Sequence, residues 1–484
     1  MPKPIELKPS ELRCVCDPKL FNFKDTSEIE PLAEVIGQQR AVQAIDFGLN
    51  MKSPGYNIFV TGIEGTGKST IVNDIVTTHA KTLPTPDDRC MINNFKDQFR
   101  PKAISVPSGK AGQFKKQMSR LIEDIKQRLP KAFENKSYQE KQTEIQKKYG
   151  DKQRDLFKEL EQSAEKKNLH IQRTQTGYQA IPKMEGKPIN PDEFHALPEE
   201  LKTKINENME SIQTEMESSM REINKISQKA ETVIEKLMQE VTLYVVESRM
   251  DILRSDYQEC HDILTYLDEV QEDIVENAKD FMPPKGQPTG VEALLPQAHK
   301  PSFQKYEVNV LVDHKYTKGA PVIFEANPTY NNVFGQIEKR AYMGTLTTDF
   351  TMIQAGSLLT ANGGYLIMEL ESVLMNPFVW ESLKRALQNK LLSIEDVHTG
   401  MGYGTASLRP HPIPLDVKVI LLGSYKLFHV LQNTDSKFNK IFKVRADFDN
   451  EVKRTEDTIQ KYAQFIARVC KEEKLMPFTP PVEF

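Results

Sequence analysis

Apolar positions recur along the chain in two rhythms, and the two fall in separate stretches. Short, nearly continuous runs come first and last. They are Tyr56-Asn-Ile-Phe-Val-Thr61, Tyr306-Glu-Val-Asn-Val-Leu-Val312, Pro321-Val-Ile-Phe-Glu325, Gly364-Tyr-Leu-Ile-Met-Glu369 and Val417-Lys-Val-Ile-Leu-Leu422. Runs of this length between helical patterns predict a parallel sheet with helices on both faces. Cys90-Met-Ile-Asn-Asn and Ala103-Ile-Ser-Val-Pro107 read as two further short strands. Ala41, Val42, Ile45 and Leu49 share one helical face, with Gly37 as the natural break before that helix.

Between these runs the rhythm changes. Residues 114 to 168 hold almost no glycine and are dense in Lys, Glu and Gln. Tyr138, Ile145, Tyr149, Leu156 and Leu160 step by sevens and fours, a coiled-coil-like stripe. A second stripe returns from Leu201 through Ile212, Met216 and Ile226 to Val241. Around Gly177 the alternation drops to period two, which predicts a β-hairpin near 169–189. Two long helices running out and back with a small β tip follow from this. A further helical piece is expected over about 245 to 281, and Pro283, Pro284, Gly286, Pro288 and Gly290 then mark a linker. The sheet therefore starts near residue 56, is interrupted by a helical excursion, and finishes after 300.

The candidate chemistry sits at the first of the sheet runs. Gly62-Ile-Glu-Gly65-Thr66-Gly67-Lys68-Ser69-Thr70 fits Gly-x4-Gly-Lys-Ser/Thr in full, with a strand entering and a helical pattern leaving. Glycines there let consecutive backbone N–H groups turn inward around a phosphate at the positive end of a helix. Lys68 can reach the β- and γ-phosphates, and the Ser69 hydroxyl is placed to ligate Mg²⁺. A nucleoside-triphosphate site is implied.

Composition changes this picture little. The 484 residues allow two to four domains, and the net charge of −4 argues against nucleic-acid binding by bulk electrostatics. DNA is possible as a partner but not indicated. No apolar run approaches the roughly 20 residues of a membrane span. Five scattered cysteines make a poor disulfide framework, which points to a reducing cytoplasm, and Cys14 and Cys16 are too close for a zinc knuckle.

Several stretches resemble the AAA+ ATPases, and more closely the Lon-related ATP-dependent proteases. Pro31-Leu-Ala-Glu-Val-Ile36-Gly37-Gln-Gln-Arg-Ala is similar to the family's Gly-Gln box, which implies that Ile36 and Gly37 lie beside the adenine. Asn327-Pro-Thr-Tyr-Asn-Asn-Val-Phe-Gly-Gln-Ile-Glu338 and Ile353-Gln-Ala-Gly-Ser-Leu-Leu-Thr-Ala-Asn-Gly-Gly-Tyr-Leu-Ile-Met-Glu369 resemble the block leading to Walker B. The implied fold is α/β: a P-loop AAA+ parallel sheet with helices on both faces, interrupted by a long helical coiled-coil insertion with a small β tip. The expected divisions are an irregular segment over 1–30, the ATPase domain over 31–112 and 291–450, the insertion over 113–290, and the start of a lid over 451–484.

The same resemblance assigns roles. ATP and Mg²⁺ are the implied cofactors. A Walker B strand usually ends in Asp-Glu, whereas this one has Glu369, Leu370 and Glu371. Glu369 can hold Mg²⁺ through water, and Glu371 either polarises the attacking water or serves as a helix N-terminal charge. Ser424 falls at the sensor position, or is an ordinary turn serine. Phe442-Lys443-Val-Arg445-Ala-Asp-Phe-Asp449 resembles the end of the helix that supplies a finger to the next subunit. Arg445 is favoured over Lys443 in that role, and either can equally be a solvated helix-end cation. The implied unit is a homo-oligomeric ring, a hexamer by analogy. Tyr342 and Met343, before Gly344, resemble the loop with which Lon-like rings grip protein substrates, or else pack in a hairpin.

Lon-like proteases cut with a Ser–Lys dyad in a C-terminal domain, and nothing after residue 450 is long enough to be one. The expectation is therefore the ATPase portion of a longer protease, unfolding and translocating protein toward a peptidase domain. A non-proteolytic AAA+ remodelling ATPase is the alternative. A coiled-coil DNA-repair or chromosome ATPase is a further one, against which stands the absence of a Leu-Ser-Gly-Gly-Gln signature.

Overall fold

The structure is a computed structural model. It describes residues 6–9, 12, 20–32, 35–63, 67–174, 177–184, 187–188, 194, 198–283, 302–342, 345–396 and 408–479. The chain divides into two compact units, one of residues 1–115 and 307–484, the other of residues 116–306.

In the first unit, helix α1 (Gln39–Asn50) leads to strand β1 (Ile58–Thr61) and helix α2 (Lys68–Ala80). Strands β2 (Asp88–Ile92) and β3 (Lys102–Val106) follow as an antiparallel pair, before helix α3 (Ala111–Glu134). Helix α4 (Lys136–Lys166), strands β4 (Leu169–Thr174), β5 (Gly177–Met184) and β6 (Lys187–Pro188), and a helix of 58 residues, Glu199–Asp256, form the bulk of the second unit. At 1.5 Å per residue that last helix is about 87 Å long. The chain then returns to the first unit through β7 (Val308–Val312) and β8 (Val322–Glu325). Next come the small strands β9 (Gln336–Ile337), β10 (Arg340–Tyr342), β11 (Thr345–Thr347) and β12 (Ile353–Gln354). Strand β13 (Tyr365–Glu369), the pair β14 (Leu391–Leu392) and β15 (Ile413–Pro414), β16 (Lys418–Gly423) and β17 (Val444–Asp447) complete the strands.

Five strands make the parallel sheet, in the order β17-β1-β16-β13-β8. Its alternation explains the continuously apolar runs. Ile58, Val60, Ile367, Ile420, Leu422 and Ala446 point into a core shared with Ala41, Ile45 and Leu49 of α1 and Val72 and Val76 of α2. Phe59, Leu366, Met368, Val419 and Leu421 point to the opposite face, against Val379, Leu383, Phe428 and Phe438. Residues buried on both faces leave no polar period to read.

The structure corrects two strand assignments. The run at 306–312 is not part of the parallel sheet. As β7 it pairs antiparallel with β2, in a separate sheet ordered β3-β2-β7. The fifth parallel strand is β17, where the family resemblance suggested a helix end. Val444 and Ala446 are buried and alternate with half-buried Arg445 and Asp447 at the sheet edge, and the preceding helix stops at Ile441.

The stretch 114–168 is two helices, α3 and α4, and the stripe from Tyr138 to Leu160 lies on α4 alone. Asn135 stands in extended conformation and its side-chain oxygen accepts from the Ser137 N–H, capping α4. The tip is a three-stranded antiparallel sheet ordered β4-β5-β6. Leu160, Ala164, Leu169, Ile171, Ala180, Ile212 and Met216 close a small core beneath it. Away from the tip, Tyr138, Ile145, Tyr149 and Leu156 are only half-buried. A pair of helices covers one stripe and no more, so these residues keep water on their flanks.

Candidate functional site

The sheet brings the C-terminal ends of β1, β13 and β16 side by side. Thr61 is in register with Gly423 on one side and Asp447 on the other, and Glu369 is in register with Leu422. Whatever follows these strand ends shares one edge of the sheet, the usual ligand edge of an open α/β fold. A cleft of ≈ 840 Å³ opens there. Gly62, Gly67, Lys68, Ser69 and Thr70 line it from the β1 side, Glu369 and Glu371 from the β13 side, and Ser424 from the β16 side. Tyr425, Lys426 and Asn450 also face it and had no role in the sequence reading. No motif marks them, and only the register of β16 and β17 brings them to this edge. Gly65 and Thr66 lie outside the described residues.

Local chemistry explains each placement. Gly67 adopts φ +72° at the N-cap of α2, a left-handed turn in which a β-carbon is disfavoured. Helix α2 then starts with its free N–H groups at the cleft. The Lys68 ammonium donates to the carbonyl oxygen of Gly62 at 2.9 Å and to that of Gly423 at 3.4 Å. Glu369 ends β13 at the position just before the short helix Leu370–Met375, whose first turn carries Glu371. Ser424 caps the helix Tyr425–Thr434, accepting from the Leu427 N–H at 3.3 Å. It is thus a turn serine that also lines the cleft.

The Ala361-Asn-Gly-Gly364 run proves to be a brace that aims β13. Asn362 receives the Asp416 N–H at 2.7 Å and donates to the Pro414 carbonyl at 3.1 Å. The Gly363 N–H reaches the Asp416 carbonyl at 2.7 Å, and Gly364 abuts Pro321 so closely that a β-carbon would stand 2.1 Å from its carbonyl oxygen.

The remaining predicted residues sit elsewhere. Ile36 and Gly37 do not line this cleft. Gly37 (φ +69°) packs on Val452, and the neighbouring Gln38 amide both donates to and accepts from the Asp449 backbone, at 3.0 and 2.7 Å. Val452 lines a smaller hollow of ≈ 410 Å³ with Phe21, Ile459, Tyr462 and Ile466. Arg445 is a strand residue, not a helix-end cation. Its Nε donates to Asp447 at 2.6 Å, and its guanidinium packs 4.5 Å from the ring centres of Tyr425 and Phe428. Lys443 is also engaged, donating to the Pro54 carbonyl at 3.0 Å. The cation in the last turn of the helix before β17 is Lys440, which the sequence reading passed over. Tyr342 ends β10 opposite Thr345 in a two-stranded hairpin, and Met343 is outside the described residues.

The residues present fit Mg²⁺ and a nucleotide triphosphate. Ser69 and Glu369 offer two hard oxygen donors on facing walls, the partial set with which Mg²⁺ keeps several waters. The N-terminus of α2 and Lys68 supply positive potential where the phosphates would lie.

Fold and cleft together define an α/β nucleotide-binding domain of the phosphate-loop kind. The family model described as LonB-like, AAA domain matches residues 318–449, and that described as Lon-like LonC helical domain matches residues 88–121. Over those stretches the chain is similar to Lon-related AAA+ proteins. No curated protein matches it. Among solved structures, NtrX from Brucella abortus is similar over 33% of this chain and 33% of its own, with 17% identity and a TM-score of 0.23. The NtrX structure in complex with ADP gives the same identity and TM-score over 33% and 32%. The chain spans about a third of those proteins, and a likeness of that size carries no argument. Among the described residues, no helix is long and apolar enough to cross a membrane.

Proposed function

We propose that this chain is the ATP-binding and ATP-hydrolysing module of a Lon-related ATP-dependent serine protease. It works in the cytoplasm within a homo-oligomeric ring that unfolds protein substrates and feeds them toward a peptidase domain. The observation that carries the reading is the shared cleft. Gly62, Ile63 and Gly67 to Thr70 lie some three hundred residues from Glu369 and Glu371 in sequence, yet all of them line one space of ≈ 840 Å³.

Each residue has a task that its position allows. The first N–H groups of α2 and the Lys68 ammonium bind and orient the phosphates, Lys68 exchanging its two carbonyl partners for phosphate oxygens. Ser69 and Glu369 hold Mg²⁺, directly and through water. Bound Mg²⁺ would neutralise charge on the β- and γ-phosphates. Glu371, in the first turn after β13, is the carboxylate that orients and deprotonates the attacking water. Ser424 meets the γ-phosphate from the opposite wall. Tyr342 and Met343 grip the polypeptide, an aromatic and a flexible apolar side chain suited to sequence-tolerant traction. Support for a protein substrate comes from the Lon-related family rather than from the cleft.

Phosphate release from Mg·ATP, measured with and without an unfolded protein such as casein, tests the reading. Turnover that rises on adding casein is the expected result. Absence of any ATP turnover, with binding intact, would reduce the reading to a nucleotide-dependent scaffold.

A further inference from the structure

Asp447 holds the base of the phosphate loop and one wall of the cleft through a single oxygen. Thr61 is the last residue of β1, immediately before Gly62, and is fully buried. Its hydroxyl donates to Asp447 Oδ1 at 2.5 Å. The same Oδ1 accepts from Arg445 Nε at 2.6 Å. The Arg445 guanidinium in turn lies against the ring of Tyr425, which lines the cleft beside Ser424. Backbone pairing fixes the arrangement, because Thr61 and Asp447 are register partners and the Phe448 N–H donates to the Thr61 carbonyl at 2.9 Å.

Resting on the nucleotide-site reading above, we propose that Asp447 is a positioning residue for the triphosphate, acting on the phosphate loop through Thr61 and on Tyr425 through Arg445. Three observations support it. A buried hydroxyl at the last residue before a phosphate loop needs a partner, and a carboxylate is the strongest neutral-donor partner available. Arg445 is ion-paired and packed between two rings within its own chain, so its charge serves this assembly. Asp447 also ends the edge strand β17, whose one strand partner is β1, so its carboxylate is set beside the residue that enters the loop. The loop that wraps phosphate and the helix that faces it are therefore tied to one carboxylate. Loss of either tie loosens the geometry that the phosphates require.

The test uses the full chain and Mg·ATPγS binding by calorimetry, with thermal unfolding measured in parallel. Thr61→Val keeps the shape and removes the hydroxyl, and Thr61→Ser keeps the hydroxyl. The expected result is about tenfold weaker binding for Thr61→Val, the effect of one lost hydrogen bond. Thr61→Ser should bind like the wild type, with unfolding temperatures of the two variants alike. Arg445→Met should weaken binding to a similar degree. The double variant should lose less than the product of the two single losses, because both act through one oxygen. Wild-type affinity in Thr61→Val, or strictly multiplicative losses in the double variant, would overturn the proposal while leaving the nucleotide site in place. Failure of the wild type itself to bind Mg·ATPγS would instead sink the reading on which the proposal rests. If Thr61→Val fails to fold, the Arg445→Met affinity alone decides, wild-type binding overturning the proposal.

Discussion

The Lys68 ammonium reaches two carbonyl oxygens, Gly62 at 2.9 Å and Gly423 at 3.4 Å, the second at the end of β16 and 355 residues further along the chain. One cation thus spans from the loop after β1 to the strand end before Ser424. A phosphate arriving in the cleft would take over the donors that now serve these carbonyls. The contact brings the phosphate loop and the β16 end to within reach of the same ligand atom.

Ser424 tests that geometry from the other wall. Its side chain caps a helix, and aspartate caps as well as serine does. Ser424→Asp should therefore leave thermal stability nearly unchanged. A carboxylate facing the triphosphate should nonetheless weaken ATP binding by about tenfold or more, given like charges a few ångströms apart. Calorimetry and thermal unfolding on one preparation separate the two effects. Unchanged affinity would mean that Ser424 faces away from the phosphates.

Glu371 carries the hydrolysis step. In Glu371→Gln the side chain keeps its size at the cleft wall and loses its basicity. Turnover should fall by a factor on the order of 10²–10⁴, the usual contribution of a general base, while ATP affinity is kept. A single-turnover assay of phosphate release checks this. Hydrolysis at the wild-type rate would reassign the role, with Glu369 the next carboxylate to examine.

Gly364 tests the brace that aims β13. A β-carbon there would stand 2.1 Å from the Pro321 carbonyl oxygen. Backbone cannot yield as a flexible side chain does. Gly364→Ala should cost about 2–3 kcal/mol of stability, as overpacking does, read from urea unfolding. An alanine tolerated without loss would show that β13 and the Pro321 segment can separate freely.

Much of this was legible in the sequence, for stated physical reasons. The phosphate loop and the strand leading into it were legible because the loop chemistry needs glycine, lysine and a hydroxyl at fixed spacing. Glu369, Glu371 and Ser424 came from the resemblance to Lon-related ATPases, which implies roles for the residues just after the runs at 364–369 and 417–422. Sheet membership was not legible. The 306–312 run and β17 are equally short, and only pairing partners far away in sequence decide that the first joins β2 and the second joins β1. Arg445 was misjudged for that reason, because a cation read at a helix end is a strand residue held by Asp447. Tyr425, Lys426 and Asn450 carry no local pattern at all.

Lys418 sets a pH dependence. Its ammonium is half-buried at the C-terminal end of α1, donating to the carbonyls of Gly48, Leu49 and Met51. Burial lowers its pKa from the ordinary 10.5 to about 8, with nearby Asp416 opposing the shift. Between those values the unfolded chain holds the proton and the folded chain releases it. Stability therefore rises with pH from about 8 toward 10.5. Urea midpoints at about pH 7.5 and about pH 9.5 should differ more in the wild type than in Lys418→Met. The variant should also be less stable by about 1–3 kcal/mol, three carbonyls having lost their donor. An identical pH response in both proteins would remove Lys418 as its source.

The account depends on a triphosphate seated between the glycine turn and the acidic end of β13. Titration of Mg·ATPγS into the wild type and into Lys68→Ala tests this most directly. The prediction is one site per chain in the wild type and an affinity lower by about 100-fold or more in the variant, the scale of lost charge-assisted bonds to phosphate. Equal affinity in the two proteins would mean that the nucleotide, if bound at all, sits somewhere other than this cleft.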